Sequence, residues 1–272
     1  MINEKKYSLD HIRFLRKERN ETIFVYVLRF SLLALLLLVW EILAVNNVID
    51  PFITSYPSKI FTTVIELFKH NDLLMHIGVT LYETFLGFII SVVAGFIIAL
   101  IMWLSVRCRR VLEPYVVVLN SLPKIALGPI IIVWFGSGNK AIIAMAVLIS
   151  VIVCIMTMLG GFLSTDKDKI LLLKSFGANK WQIMTKLVIP SNLPTFVNML
   201  KIALGMAWIG SIMGEYLVSK AGLGYLIVYG SQVFKLDLVM ASTVVLLVLS
   251  ALMYAFITLF EKLAITYKTD SN

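Results

Sequence analysis

The chain has 272 residues, 60% of them hydrophobic and only 15% charged, with a mean hydropathy of +0.92 and a formal net charge of +8. Soluble domains sit nearer half apolar and a quarter charged, so this composition excludes an ordinary soluble enzyme or binding module. Cys108 and Cys154 are far apart and differently placed, which implies no disulfide framework.

Residues 1–22 form a charged tail, too long and polar for a cleavable signal, so the first span is expected to be retained. Runs of 18 or more apolar residues with few charges predict membrane helices. The first covers 23–45. A looping stretch, 46–77, carries Pro51, Pro57 and one amphipathic helix over 59–70. The second span, 79–104, places Gly87, Ser91, Gly95 and Ala99 at intervals of four, a spacing that lets helix backbones approach closely in lipid. Glu83 lies near its beginning, facing either an interface or a pathway.

The third span, 112–135, is interrupted by Pro123 and Pro129, each of which removes a backbone donor. Irregular backbone at membrane depth is tolerated only beneath protein or beside a water-filled cavity. Lys124 adjoins the first interruption, and a charge within a span is costly. Pro123, Lys124 and Pro129 are therefore candidates to line a pathway; a kinked packing helix with a snorkelling Lys124 is the plainer reading.

A fourth span, 141–163, leads to a polar stretch that is neither a minimal turn nor a folded domain. Thr165-Asp166-Lys167-Asp168 opens it with the spacing of a capping box. Ile170, Leu172, Leu173 and Phe176 recur at helical spacing, and Gly177 follows as the expected left-handed stop. A second short amphipathic piece, 181–188, runs into Ile189-Pro190. A helix-glycine-helix unit with an apolar face shown to water has the shape of a docking element for a soluble partner.

The fifth span, 193–218, carries Lys201 and Glu215, about 40° apart on a helical wheel of ~3.6 residues per turn. Gly205, Trp208 and Ile212 fall on the same stripe, which is the second candidate pathway surface. Gly210 and Gly214 read as packing residues. A Gly-rich segment, 221–233, reads as a re-entrant or interfacial turn, and the sixth span covers 238–261.

Lys and Arg set the orientation of such a chain. Sixteen fall in the tails, the 107–110 loop and the 165–190 stretch; five (Lys59, Lys69, Lys140, Lys220, Lys235) fall on the opposite side. Both termini and the polar stretch are thus expected in the cytosol, and the positive charge is a topology signal with no call for nucleic acid. No catalytic set emerges. His11, His70 and His76 are scattered in tails and loops without metal-ligand spacing, and no G-x-x-x-x-G-K-[ST] phosphate loop is present.

With those residues in view, the chain resembles the inner-membrane permease subunit of a binding-protein-dependent ABC importer. That family carries a cytosolic signature of the form E-A-A-x3-G-x9-I-x-L-P. Gly177, Leu187, Ile189 and Pro190 match its spacing, while Leu171, Leu172 and Leu173 stand in for Glu-Ala-Ala. Gly177-Ala178-Asn179-Lys180-Trp181-Gln182-Ile183, Ala207-Trp208-Ile209-Gly210, Gly214-Glu215 and Gly222-Leu223-Gly224-Tyr225-Leu226-Ile227 are similar to the nitrate, sulfonate and taurine branch. Pro123-Lys124-Ile125-Ala126-Leu127 and Trp134-Phe135-Gly136 resemble importers of pyrimidine or riboflavin-type precursors.

The resemblance implies an all-α integral membrane protein of the type I ABC importer permease class, with six transmembrane helices and a cytosolic coupling helix. A first helix and extracytoplasmic loop (23–74) would precede a permease core (75–262), followed by a cytosolic tail (263–272). Coupling to the ATPase would fall on Leu171, Leu172, Leu173, Phe176, Gly177, Ala178, Trp181, Leu187, Ile189 and Pro190. Implied partners are a second permease subunit, two ATPase subunits that bind ATP, so that this chain holds no cofactor, an extracytoplasmic solute-binding protein, and the lipid bilayer of a prokaryotic cell membrane. The implied cargo is a small anion of the nitrate, sulfonate or taurine kind, or alternatively a pyrimidine or riboflavin-type precursor. An energy-coupling-type vitamin importer subunit is the other reading, although its Ala-Arg-Gly coupling motifs are absent.

Overall fold

A computed structural model describes residues 9–69 and 72–265; every regular element among them is helical. The chain divides into two units, residues 1–63 and 64–272.

The first unit is dominated by α1 (Leu9–Val45), which runs through the 23–45 span and beyond it. Phe24, Phe30, Leu32 and Leu36 are all exposed around its circumference. A helix apolar on every side is stable only in a nonpolar surround, which is the mark of a membrane span. Asp50 then caps the short α2 (Pro51–Thr54), its Oδ1 accepting from Phe52 N–H at 2.9 Å. Glu41 accepts from the backbone N–H of Ser58 at 3.1 Å and from its hydroxyl, pinning the start of α3 (Pro57–Lys69). The amphipathic helix expected from residue 59 thus begins two residues earlier, at a proline whose missing N–H costs nothing in a first turn. His70 lies outside the described residues, as does the side chain of His11.

In the second unit, α4 (Asp72–Leu104) begins seven residues before the expected span, so His76 belongs to a helix and not to a loop. There follow α5 (Val106–Ser121), α6 (Gly128–Phe135), α7 (Asn139–Leu163), α8 (Lys167–Ser175), α9 (Lys180–Ile183), α10 (Ile189–Ser191), α11 (Leu193–Val218), α12 (Leu223–Gln232) and α13 (Leu236–Ile265). The core is α7 held between α4 and α11. Glycine makes this possible: a Cβ at Gly87 of α4 would meet the Ala146 Cβ at 2.5 Å, and one at Gly210 of α11 would meet the Ala146 Cα at 2.5 Å. One alanine of α7 is therefore gripped from both sides, and dispersion between the close backbones replaces the hydrophobic drive that lipid does not supply. Hydroxyl pairs bind the same helices, Thr84 with Ser211 at 2.6 Å and Ser91 with Ser150 at 2.5 Å. Phe96 adds edge-on contacts to Phe162 and Phe196, both at 5.8 Å.

Two expectations are corrected. The third span is not interrupted at both prolines: α5 and the 124–135 segment meet at a single 93° bend. Leu122 is extended at the bend (φ −71°, ψ 142°), as a residue before proline must be, and Lys124–Leu127 makes one tight turn beyond it. Pro129 starts α6, in the first turn where no N–H is needed. The Gly-rich segment is likewise no mere turn. After Gly222 (φ +113°) it becomes α12, whose Leu223 and Leu226 bury against Leu73 and Leu238. Among the described residues, five helices are long and apolar enough to cross a membrane, or six with the bent pair counted as one span.

Candidate functional site

The stretch between α7 and α11 is the best-defined exposed feature of the second unit, and local hydrogen bonding shapes all of it. Its opening differs from the capping box read in the sequence. Asp166, and not Thr165, is the N-cap of α8, accepting from Asp168 N–H at 2.9 Å and Lys169 N–H at 3.4 Å. Thr165 is buried and its hydroxyl accepts from Asn192 Nδ2 at 2.8 Å.

At the other end of α8 the chain closes by two reverse bonds, Gly177 N–H to Lys174 O at 2.9 Å and Ala178 N–H to Leu173 O at 3.0 Å. This is a Schellman stop, and Gly177 occupies its left-handed position with φ +79°. Its usual apolar accompaniment is present, Leu173 and Ala178 both packing on the core. Asn179 then opens α9 with a reciprocal box that the sequence reading missed. Asn179 Oδ1 accepts from Gln182 N–H, and Gln182 Oε1 from Asn179 N–H, both at 2.8 Å. The signal was visible as Asn-x-x-Gln. From α9, Lys180 donates to the carbonyl of Leu104 at the end of α4, 3.1 Å away.

Ile183, Met184 and Val188 are buried to 1% or less and root the stretch in the core. The backbone widens into a π turn over Met184–Val188 directly before Pro190, whose ring disfavours a regular turn there. Asn192, unremarked in the sequence, closes the loop: besides Thr165 it donates to Val188 O at 2.9 Å. The two feet of the stretch are thus joined by one buried side chain.

This geometry sorts the candidate residues. Ile170 and Leu173 do not belong to an outward apolar face; with Ala178, Leu187 and Ile189 they turn partly inward onto the chain's own core. Outward go Leu171, Leu172, Trp181 and above all Phe176, which is 78% exposed. Pro190 is also exposed. The same stretch exposes Lys167, Lys169, Lys174, Lys180 and Lys186 against only Asp166 and Asp168.

The candidate pathway residues are not brought together. Pro123 and Pro129 are exposed near the bend, and Lys124 reaches back to Asn120, Nζ lying 3.4 Å from its carbonyl and 3.3 Å from its Oδ1. The α11 stripe divides because different neighbours cover it along its length. Gly205 is open, Ile212 leans on the core, and Trp208 and Glu215 are buried at 7% and 1% exposure. Lys201 forms an ion pair with Glu261 of α13 at 2.5 Å and lies over the Tyr254 ring. Glu215 meets Glu83 at the opposite end of the bundle from the 166–190 stretch. No cluster of three or more metal-ligating side chains occurs among the described residues.

Residues 91–265 match the model of a family described as the binding-protein-dependent transport system inner membrane component. A probable ABC transporter permease protein of Haemophilus influenzae is 31% identical over 82% of this chain and 90% of its own length. The formylaminopyrimidine transport permease protein ThiX of Halalkalibacterium halodurans is 32% identical over 70% of this chain and 76% of its own. The taurine transport system permease protein TauC of Escherichia coli is 26% identical over 83% and 84%. Among solved structures, inward-facing MetNI methionine ABC transporter superposes with a TM-score of 0.62 at 22% identity, covering 69% of this chain and 94% of that one. A bacterial transporter for import of the polysaccharide alginate gives 0.63 at 14% identity over 91% and 98%. At these identities the structural likeness is one of fold.

Proposed function

The chain belongs to the family of binding-protein-dependent transport system inner membrane components, and on that premise we propose that its 166–190 stretch is the surface on which a cytosolic ABC ATPase docks. The chain is an ABC importer permease subunit, a membrane component and not an enzyme. The observation that carries the docking proposal is the outward cluster of Leu171, Leu172, Phe176 and Trp181 on a doubly capped frame rooted in the core. Exposed aromatic anchors are the residue types that dominate protein interfaces. The exposed lysines favour a partner groove with an acidic rim, and Leu171 in the place of a glutamate leaves Asp166 and Asp168 as the acids that oppose it.

In this reading two permease subunits pair, two ATPases dock from the cytosol, and an extracytoplasmic binding protein delivers the solute. ATP-driven closure of the ATPases pulls on the 166–190 stretch. Its buried feet at Thr165 and Asn192 pass the movement to α7 and α11, which are the centre of the bundle. The cargo is a small organic solute of the sulfonate or taurine kind. A second reading, a pyrimidine-type precursor, is favoured by the 32% identity to the formylaminopyrimidine permease. The test is reconstitution of the chain with its ATPase and binding protein in liposomes, with taurine and a formylaminopyrimidine as competing cargoes. Stimulated ATP hydrolysis and uptake of one cargo support the reading. A permease that retains no ATPase ends it.

A further inference from the structure

Glu83 of α4 and Glu215 of α11 have their carboxyl groups buried at 0% and 1% exposure and close enough to act on one another, within one turn of the Thr84–Ser211 hydroxyl pair that joins the same two helices. The two are not equivalent. Glu215 Oε2 accepts from Gly224 N–H at 2.5 Å, and the Thr80 hydroxyl accepts from the neighbouring Leu223 N–H at 2.8 Å. A Cβ on Gly224 would press on Oε2 at 2.8 Å and one on Gly222 would run into the same carboxyl, so the turn backbone itself seals the group. Gly222 N–H is engaged elsewhere, donating to His76 Nδ1 at 2.9 Å. Glu83, by contrast, receives no donor at either oxygen, and Glu215 Oε1 receives none. No lysine or arginine acts on either group among the described residues.

Two bare carboxylates in contact, sealed from water and without a cation, are an arrangement that burial does not permit. The set of unpartnered atoms is only three oxygens, whereas a hard metal cation such as calcium takes six to eight. A single proton fits: it turns one acid into a donor for the other, as in carboxyl pairs that share a site. We infer that Glu83 and Glu215 form a binding site for one proton, with Glu83 the acid that donates and Glu215 the carboxylate that accepts. The assignment follows from the donors, since Gly224 N–H already serves Glu215 as an acceptor and Glu83 receives none. The proton thereby clasps α4 to α11 and to the 222–224 turn, at the end of the bundle away from the 166–190 stretch. This goes beyond the transport reading and does not rest on it.

The test is infrared spectroscopy of the purified full-length protein in lipid nanodiscs at neutral pH, with sodium or choline as the only added cation. The C=O stretch of a protonated carboxylic acid, shifting in D2O, is expected in the wild type and absent from Glu83→Gln, whereas in Glu215→Gln it persists at a changed frequency because Glu83 remains buried without a cation. Thermal stability supplies the second readout. Glu83→Gln keeps an N–H donor and the same net charge, so its melting temperature should equal that of the wild type. Glu83→Ala leaves Glu215 Oε1 bare, and Glu215→Gln sets an amide against donors already in place; both should melt lower. A wild type without the acid band, a Glu83→Gln protein as unstable as Glu83→Ala, or a stability that rises with sodium would each overturn the assignment.

Discussion

Phe176 and Gly177 are adjacent, exposed and different in what they contribute. Phe176 offers a ring to solvent and touches little of its own chain, so Phe176→Asp should leave expression and melting temperature unchanged while abolishing co-purification of the ATPase. Gly177 acts through its backbone alone, because nothing lies within 4 Å of a Cβ built there and only φ +79° resists substitution. A β-branched residue at that angle costs about 1–2 kcal/mol, whereas asparagine visits it readily. Gly177→Asn should therefore retain the ATPase and Gly177→Val should lose most of it, with stimulated hydrolysis in liposomes falling in step. Equal retention by both would show that the Schellman stop does not shape the docking surface. Gly210 is the opposite case, a glycine demanded by space. Gly210→Val drives a side chain into the Ala146 backbone and should destabilise the bundle by about 1–3 kcal/mol, seen as a lower melting temperature in detergent.

At the scale of elements, the 166–190 stretch is held by few but buried bonds, and Asn192 is the one that joins its two feet. Asn192→Ala strands the buried Thr165 hydroxyl and removes one of the donors to the Val188 carbonyl, which keeps the backbone N–H of residue 192 and the Ser191 hydroxyl, a loss of about 1–3 kcal/mol that is local to the stretch. Amide hydrogen exchange should rise over residues 164–192 and stay unchanged in the middle of α4 and α7. The uptake rate should fall with ATPase retention intact, because the mutation loosens transmission and leaves the docking face in place. An unchanged exchange profile would deny Asn192 that role. Among the elements themselves, the legible ones were the long apolar helices: the fifth span was read as 193–218, and α11 is Leu193–Val218. Less legible were α12 and the α5–α6 bend. Whether a Gly-rich or proline-broken segment continues as helix depends on what buries it, which local pattern does not state.

At the scale of the whole chain, the Lys and Arg distribution makes an orientation prediction that geometry alone does not supply. In a protein with Cys108 and Cys154 replaced, a cysteine at Lys174 should react with an impermeant maleimide only after the membrane is opened. A cysteine at Ser137, exposed in the turn before α7, should react in intact cells. The opposite pattern would invert the molecule and place the docking stretch on the wrong side for an ATPase.

Much about this protein was determined by the sequence alone, for a physical reason: lipid forces backbone polar groups to pair within each span. Helices, their number and the polar interruption after α7 therefore show as runs in one dimension. The stop at Gly177 was equally local, since positive φ is a property of one residue and its neighbours. Tertiary structure decided what depends on partners distant in sequence. It turned Ile170 and Leu173 inward and Leu171 and Phe176 outward, a choice set by where the core lies relative to α8. It moved Thr165 from cap to buried tether because Asn192, 27 residues on, reaches it. And it brought Glu83, which the sequence left between an interface and a pathway, against Glu215, which it placed on a candidate pathway stripe. No spacing rule links them, because only the packing of α4 and α11 around α7 sets them face to face.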